Sequence, residues 1–489
     1  MQKANKVKTM QMKKPWMTSD ILEATNGDLL CGAVTHAFAD VSIDSRQISG
    51  DDLFIAIIGN THDGHRFVSD VVKSGISGIM INRNKADRQS IGQWKQQGLV
   101  CVVVDDTVKS LGDLAAFHRR RSNIQVIAIT GSNGKTTTKD MTAAVVSRRF
   151  TTLSTPGNFN NEIGLPLTLF KLEPKHQWAV LELGTNGPGE IKRLAEICQP
   201  DIGVITNIGP AHLEGLGSLE GVMQEKGELL KKIKPNGKAV LNADDPSVVQ
   251  LREKTSKDVL YFGLSEDALI RAISIQEKGD GVSFALRLPS ATISVDLKIP
   301  GDFMVSNALA ASAVGSLLGL SAQEIKAGLE DFRPARGRMN VLKTKKGVHI
   351  IDDSYNANPV SMEAAMMTLK SMKGNKRGIL VVGDMFELGN HAESMHQKFG
   401  SAAARSGITK LYVTGEYAAT VAKSARDEDM APRDIFTGTM EEIFKDMAKR
   451  LQHDDWVLVK GSHGMGMEKI VNWLLDWAND SSFTRSGNQ

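Results

Sequence analysis

The chain is 489 residues long, 41% hydrophobic and 24% charged, with a formal net charge of +3. That length exceeds what one hydrophobic core serves and points to about three domains, while so small a net charge gives no ground for a nucleic-acid or polybasic membrane role. No run of about 18 apolar residues occurs, which argues against a transmembrane helix, and Cys31, Cys101 and Cys198 stand far apart with no C-x-x-C pair, so neither zinc nor disulfides are indicated and a reducing cytoplasm fits.

Residues 1–15 are basic with no apolar core behind them and read as a disordered tail rather than a signal peptide. Residues 16–122 alternate strand and helix patterns, with strands expected at 41–46, 53–58, 78–81 and 99–104 and helices at 67–73 and 111–121. Ser45 and Arg46, at a strand end, offer a hydroxyl and a planar fork to an anion. On chemistry alone a turn residue and a surface Arg are the simpler account of them.

A central domain is expected at 123–334. It opens on a short apolar run, 126–129, followed by Gly131-Ser132-Asn133-Gly134-Lys135-Thr136-Thr137-Thr138 and a helical pattern. Strand, glycine loop, lysine, hydroxyls and helix make a phosphate cradle, because glycines let backbone N–H groups turn inward and the helix N-terminus adds positive potential. The strict G-x-x-x-x-G-K-[ST] pattern is not met, since Ile129 stands where its first Gly belongs, but the shorter G-x-x-G-K-T-T is. Lys135 would reach the outer phosphates and the Thr136 hydroxyl would hold Mg²⁺. Residues 153–170 place Thr155, Asn158, Asn160 and Asn161 among glycines and prolines, a loop whose amides suit a uracil or sugar edge as well as an ordinary turn.

Glu182 closes an apolar strand, where a carboxylate points into the crevice of a parallel sheet or caps the next helix. His212 follows the next strand, 202–208, and Lys226 lies on a helix at 219–232. Residues 258–300 alternate polar and apolar, as antiparallel strands do. Asn307 sits at the expected N-cap of a helix, 308–318, with capping and a hydrogen bond to adenine both open to it. Pro334 and Gly337 mark a hinge. From 335 to 489 strands and helices alternate as in a doubly wound sheet, with polar loops at 353–359, 383–385 and 460–463.

These stretches resemble the Mur ligase family across nearly the whole chain. The resemblance is carried by residues 130–138, Thr155 to Asn161, Glu182, Thr206 to Glu214, Asn242 to Asp245, Asn307 and Gly337-Arg338-Met339. Within the family, Asp44-Ser45-Arg46, the run 352–359 (DDSYNANP) and the run 383–389 (GDMFELG) are similar to the members that add D-alanyl-D-alanine, and the D-x-x-N-P-R motif of the diaminopimelate-adding relative is absent.

The resemblance implies an α/β protein of three domains: a UDP-binding one, a central P-loop-type parallel sheet, and a C-terminal Rossmann-like doubly wound sheet that closes over both. It implies an ATP-dependent ligase joining D-alanyl-D-alanine to UDP-N-acetylmuramoyl-tripeptide through an acyl phosphate. Gly131, Asn133, Gly134, Lys135 and Thr137 would cradle the ATP phosphates. Thr136 and Glu182 would hold one Mg²⁺ and His212 a second. Asn307 would meet adenine, and Arg338 and Asp353 the nucleotide. Ser45, Arg46, Thr155, Asn158, Asn160 and Asn161 would hold the UDP-sugar, and Lys226 matches a lysine that relatives carry as a carbamate. Lys135, His212 and Lys226 are thus the expected catalytic residues. His463 stands where the family often has Arg. We expect a cytoplasmic monomer. The alternatives are a Mur ligase adding a single amino acid, lysine or diaminopimelate, and a P-loop switch without ligation.

Overall fold

The computed structural model describes residues 15–59, 62–279 and 281–479. The expected basic tail, residue 15 excepted, lies outside the described residues. Backbone contacts divide the chain into two compact units, one of residues 1–127, 150–183 and 193–200, the other of residues 128–149, 184–192 and 201–489.

The first unit holds a five-stranded sheet in the order Asp28–Cys31, Val100–Val104, Gly78–Asn82, Leu53–Ile55, Val41–Ser42. All its pairings are parallel except that of the Asp28–Cys31 edge. Val100–Val104 is buried along its whole length, as a strand covered on both faces must be. The helix Thr107–Arg121 starts where Asp106 accepts hydrogen bonds from the N–H groups of Val108 and Lys109, both at 2.9 Å. Its Arg119 is buried and donates to the Cys198 carbonyl at 3.0 Å. A short parallel pair, Thr152–Ser154 with Trp178–Glu182, completes this unit. The strand expected at 41–46 ends at Ser42, because the Ser42 hydroxyl and the Asp44 carboxylate turn the backbone by accepting from the Asp44 and Arg46 amides.

The strand Gln125–Thr130, whose residues 128–130 belong to the second unit, delivers the glycine loop, and Thr130 accepts at 3.0 Å from Thr206 N, just past the strand Ile202–Ile205. The strands Lys238–Asn242 and Asp258–Gly263 follow in parallel. Here the expectation of an antiparallel segment from 258 is corrected. The connection between these two strands runs through the helix Pro246–Gln250 and a 3-10 turn, a crossover that returns the chain in the same direction. Antiparallel pairing begins only between Ile270–Lys278 and Gly281–Arg287, and continues to Thr292–Leu297.

The remaining sheet has six strands in the order Asn340–Lys343, His349–Asp353, Trp456–Lys460, Gly378–Val382, Lys410–Val413, Ile435–Thr437. Only the Asn340–Lys343 edge is antiparallel. Its core gathers Val348, Ile350, Ile379, Val381, Val457, Val459, Ile470 and Leu474, all buried. Sequence pattern overlooks the helices Ala418–Asp427 and Met440–Arg450 and the strand Ile435–Thr437. That strand has three residues, too few for a periodicity, and the buried face of Ala418–Asp427 is mostly alanine and serine. Among the described residues no helix is long and apolar enough to cross a membrane.

Candidate active site

The site of the second unit is built from the loop 131–134. Gly131 has φ +153° and Gly134 φ +78°, a region that L side chains avoid. Space forbids a side chain at both as well: a Cβ on Gly131 would run into the Thr206 hydroxyl, and one on Gly134 into the Asn307 amide. Gly134 leads into the helix Lys135–Val146, whose N-terminus has no side-chain cap. Thr136, Thr137 and Thr138 are buried on its first turns. The uncapped N–H groups and the aligned peptide dipoles make that end attractive to an anion.

The residues after Ile205 brace the loop. Asn133 N donates to Asn207 Oδ1 at 2.8 Å, while the Asn133 carbonyl accepts from Thr206 Oγ1 at 2.6 Å and Asn207 Nδ2 at 3.0 Å. Ser132 Oγ donates to the Gly209 carbonyl and accepts from Gly209 N, both at 2.9 Å. Lys135 folds back, its Nζ donating to the Gly131 carbonyl at 2.9 Å. An oxyanion placed above the loop would compete for the same ammonium.

Asn307 is corrected in place. It is the fifth residue of the helix Phe303–Leu317, and Asp302 stands at the N-cap. The helix starts earlier than expected because Phe303 and Met304 already take helical geometry. Asn307 Oδ1 accepts from Thr138 Oγ1 at 3.1 Å, so this amide fills the space that Gly134 leaves free.

Lys226 lies on the buried face of the helix Leu219–Lys232, at 0% exposure. Its Nζ has no hydrogen-bond partner among the described residues. Burial, and then the charge of Lys135, push the ammonium well below its ordinary range, against the pull of Glu225. The Glu225 carboxylate itself is committed to Gly189 N and Ile191 N, each at 2.7 Å.

His212 is not at the strand tip. It lies beyond a loop that follows Ile202–Ile205 and begins the short helix Leu213–Leu216, with φ +56°. Its Nδ1 lies against Glu387 Oε2, in an orientation outside good hydrogen-bond geometry. The imidazole, seconded by Lys135, holds the Glu387 carboxyl below its usual range although burial opposes this.

Around the Asp353 strand end, Lys460 Nζ pairs with Asp353 Oδ2 and donates to the Asn356 carbonyl at 2.8 Å. Burial raises the Asp353 carboxyl, and the charges of Lys460 and Arg338 oppose the rise. The Arg338 guanidinium lies 4.1 Å from the Tyr355 ring centre, and the Tyr355 ring meets His463 at 5.0 Å. His463 thus extends an aromatic and cationic surface.

In the first unit, Glu182 is 2% exposed. Its Oε1 accepts from Asn160 Nδ2 at 2.8 Å and its N donates to Thr155 Oγ1 at 3.0 Å. Its Oε2 is buried with no hydrogen-bond partner among the described residues. A buried carboxylate oxygen left unpaired is costly unless a cation completes it, so this side chain fits Mg²⁺. The described residues hold no group of three or more His, Cys, Asp or Glu that could hold a metal ion. Few protein ligands with phosphate oxygens supplying the rest is the usual habit of Mg²⁺. Asn161 Oδ1 accepts from Gly164 N at 2.8 Å at the start of the helix Gly164–Leu169, and Asn158 is exposed. Arg46 is 84% exposed at its side chain and paired in a fork with Asp44, at 2.8 and 2.9 Å. That pairing holds the Asp44 carboxyl at about 2, below its usual range.

The structure thus brings Gly131, Asn133, Gly134, Lys135, Thr136, Thr137 and Asn307 together in the second unit. In the first it joins Thr155, Asn160 and Glu182. Three residues of the second site were not singled out from sequence. Asn207 and Glu387 sat inside quoted motifs with no role attached, and Asn358 in a third. Each acts through a contact with a residue far away in the chain, for which local pattern carries no signal.

A strand, a side-chain-excluding glycine loop, a lysine and an open helix end define an α/β protein that handles the phosphates of a nucleotide. Three family models match: the Mur ligase family catalytic domain over residues 38–119, the Mur ligase middle domain over 129–315, and the Mur ligase glutamate ligase domain over 337–463. The chain is 34% identical over 461 residues to the UDP-N-acetylmuramoyl-tripeptide–D-alanyl-D-alanine ligase of Escherichia coli, covering 94% of this chain and 98% of that one. Among solved structures it is similar to MurF from Acinetobacter baumannii, with TM-score 0.87, 32% identity and 95% and 99% of the two chains covered. It is also similar to a MurF ligase from Thermotoga maritima in complex with ADP, with TM-score 0.78, 28% identity and 90% and 97% covered. The chain belongs to the Mur ligase family and has its three-domain α/β fold.

Proposed function

We propose that this chain is the ATP-dependent ligase that joins D-alanyl-D-alanine to UDP-N-acetylmuramoyl-tripeptide in peptidoglycan precursor synthesis. The observation that carries the reading is the loop 131–134, closed to side chains at Gly131 and Gly134 and opening on an uncapped helix with Lys135 above it. The near full-length similarity to ligases of that name supports the substrates. The proposed domains are 16–122 for the UDP end, 123–334 for ATP and 335–489 as the C-terminal domain, supported by the spacing of the three family matches. The protein works as a cytoplasmic monomer.

A carboxylate is a poor acyl donor because its leaving group would be oxide. Transfer of the γ-phosphoryl of ATP to it gives an acyl phosphate, which the amine of D-alanyl-D-alanine attacks at carbon, and phosphate leaves. Such a transfer needs positioning and neutralised charge rather than covalent help from the protein. Backbone N–H groups of Gly131, Gly134 and Thr137 orient the phosphates, Asn133, whose own N–H is held by Asn207, sets the path of the cradle, and Lys135 leaves the Gly131 carbonyl to meet them. Thr136, Glu182 and His212 are the proposed metal ligands. Bound Mg²⁺, two ions in this reading, supplies charge neutralisation on the phosphate oxygens. Asn307 holds the loop and faces the adenine side, while Arg338 and Asp353 approach the nucleotide. Ser45, Arg46, Thr155, Asn158, Asn160 and Asn161 hold the UDP-sugar. Lys226, buried and driven toward its neutral amine, is suited to add CO₂ as a carbamate.

The reading is tested by ADP release from ATP, which should require both UDP-N-acetylmuramoyl-tripeptide and D-alanyl-D-alanine. ADP formed without either one counts against it. Lysine or diaminopimelate replacing D-alanyl-D-alanine as acceptor would favour the single-amino-acid ligase instead.

A further inference from the structure

The loop after the strand Gly378–Val382 carries Glu387, and side chains tie the residues before it, Asp384, Met385 and Phe386, to their surroundings. Met385 N donates to His396 Nε2 at 3.0 Å, and Phe386 N to Ser462 Oγ at 2.8 Å. The buried Asp384 carboxylate accepts from Glu416 N at 2.7 Å and Tyr417 N at 3.1 Å. His396 is buried, stacked on Tyr417 with ring centres 4.3 Å apart. Its Nδ1 lies 2.7 Å from the Ala392 carbonyl, which makes it the donor and leaves Nε2 to accept. The base of this arm is thus tied down, while Phe386 and Glu387 at its tip are exposed.

The arm reaches the loop that carries His212. Glu214 N donates to the Glu387 carbonyl at 3.1 Å, and Gly389 lies against Glu214 so closely that a Cβ there would come within 3.2 Å of its Cα. Glu387 Oε2 then pairs with His212 Nδ1. Both residues are non-glycine with positive φ, +61° for Glu387 and +56° for His212. Two left-handed residues facing each other across one contact are held there by their surroundings.

We propose that Glu387 is a positioning residue for His212: its carboxylate, set against the Nδ1 side of the ring by the hydrogen bond between the two loops, fixes the ring and leaves Nε2 as the nitrogen offered to a divalent cation. A carboxylate behind a metal-binding imidazole fixes its tautomer and raises its basicity. The inference rests on the proposed role of His212 as a metal ligand. It adds that the C-terminal sheet, through Glu387, decides how that ligand is aimed.

The test uses the full chain and three variants, Glu387→Gln, Glu387→Ala and His212→Asn. ADP release gives kcat and KM, spin resonance of Mn²⁺ titrated in the presence of ADP gives cation binding, and thermal melting checks the fold. Glu387→Gln should lower kcat and weaken binding of one Mn²⁺ per chain by about ten- to a hundredfold. Its KM for D-alanyl-D-alanine should stay within about twofold and its melting temperature should be unchanged. If His212→Asn loses turnover and one Mn²⁺ while Glu387→Gln matches wild type in both, the positioning role is overturned and the His212 reading stands. If His212→Asn itself behaves as wild type, the His212 reading fails. A Glu387→Ala variant that melts earlier but binds Mn²⁺ normally makes the contact structural only and overturns the proposal.

Discussion

At the scale of single residues, Lys226 makes the sharpest demand. A fully buried lysine amine with no partner among the described residues, beside the charge of Lys135, is pushed by burial well below its ordinary range, toward the neutral form. A neutral amine adds CO₂, and the resulting anion would relieve the repulsion from Lys135. Protein equilibrated with ¹³C-bicarbonate should therefore show one carbamate resonance, absent from Lys226→Ala, and enzyme stripped of CO₂ should regain activity on adding bicarbonate. A spectrum identical in the variant would remove the carbamate. Lys226 was visible in sequence only through family likeness. Its helix was legible over 219–232, but that this position faces inward without a partner follows from packing.

At the scale of elements, one contact braces the site and another joins two helices behind it. Asn358 caps the helix Pro359–Lys373 by accepting from Ser361 N at 3.0 Å, and its Nδ2 donates to Asn133 Oδ1 at 2.6 Å. Asn358→Ala should cost about 1 kcal/mol in urea unfolding through the lost cap, and should also raise KM for ATP because Asn133 loses a brace. Asn358→Asp keeps the cap, so it should recover the stability while leaving KM raised. The second contact joins Arg149, just beyond the helix Lys135–Val146, to Glu324 in the capping box of the helix Ala322–Asp331. Arg149 first, and then Ser321, hold the Glu324 carboxyl at about 2 against its ordinary 4.5. Its folded value lies below its unfolded one, so its contribution is present above about 4.5 and is lost as pH falls toward about 2. Urea midpoints of wild type and Glu324→Gln should therefore differ at neutral pH and converge across that window.

At the scale of the whole molecule, a nucleotide that binds only the folded chain must raise its stability. With ADP and Mg²⁺ at about a hundred times Kd the gain is about 2.7 kcal/mol. Melting temperature should rise with ADP in the wild type. In Lys135→Ala the rise should be much smaller, measured against the melting temperature of the unliganded variant. A full shift in the variant would take Lys135 out of phosphate binding.

Local pattern alone determined that the chain is α/β, that a glycine loop stands at 131–134 between a strand and a helix, and that the helix 219–232 exists, because glycine geometry, helix period and buried strand runs are properties of neighbouring residues. It misread the pairing of 258–263, since strand direction depends on the path between strands. It also placed Asn307 at a helix cap that Asp302 holds. Only tertiary structure decided which residues complete the site. Thr138 with Asn307, Asn133 with Asn358 and His212 with Glu387 each join positions more than a hundred residues apart. Such contacts are fixed by how the sheets and helices pack, and a linear pattern does not encode them.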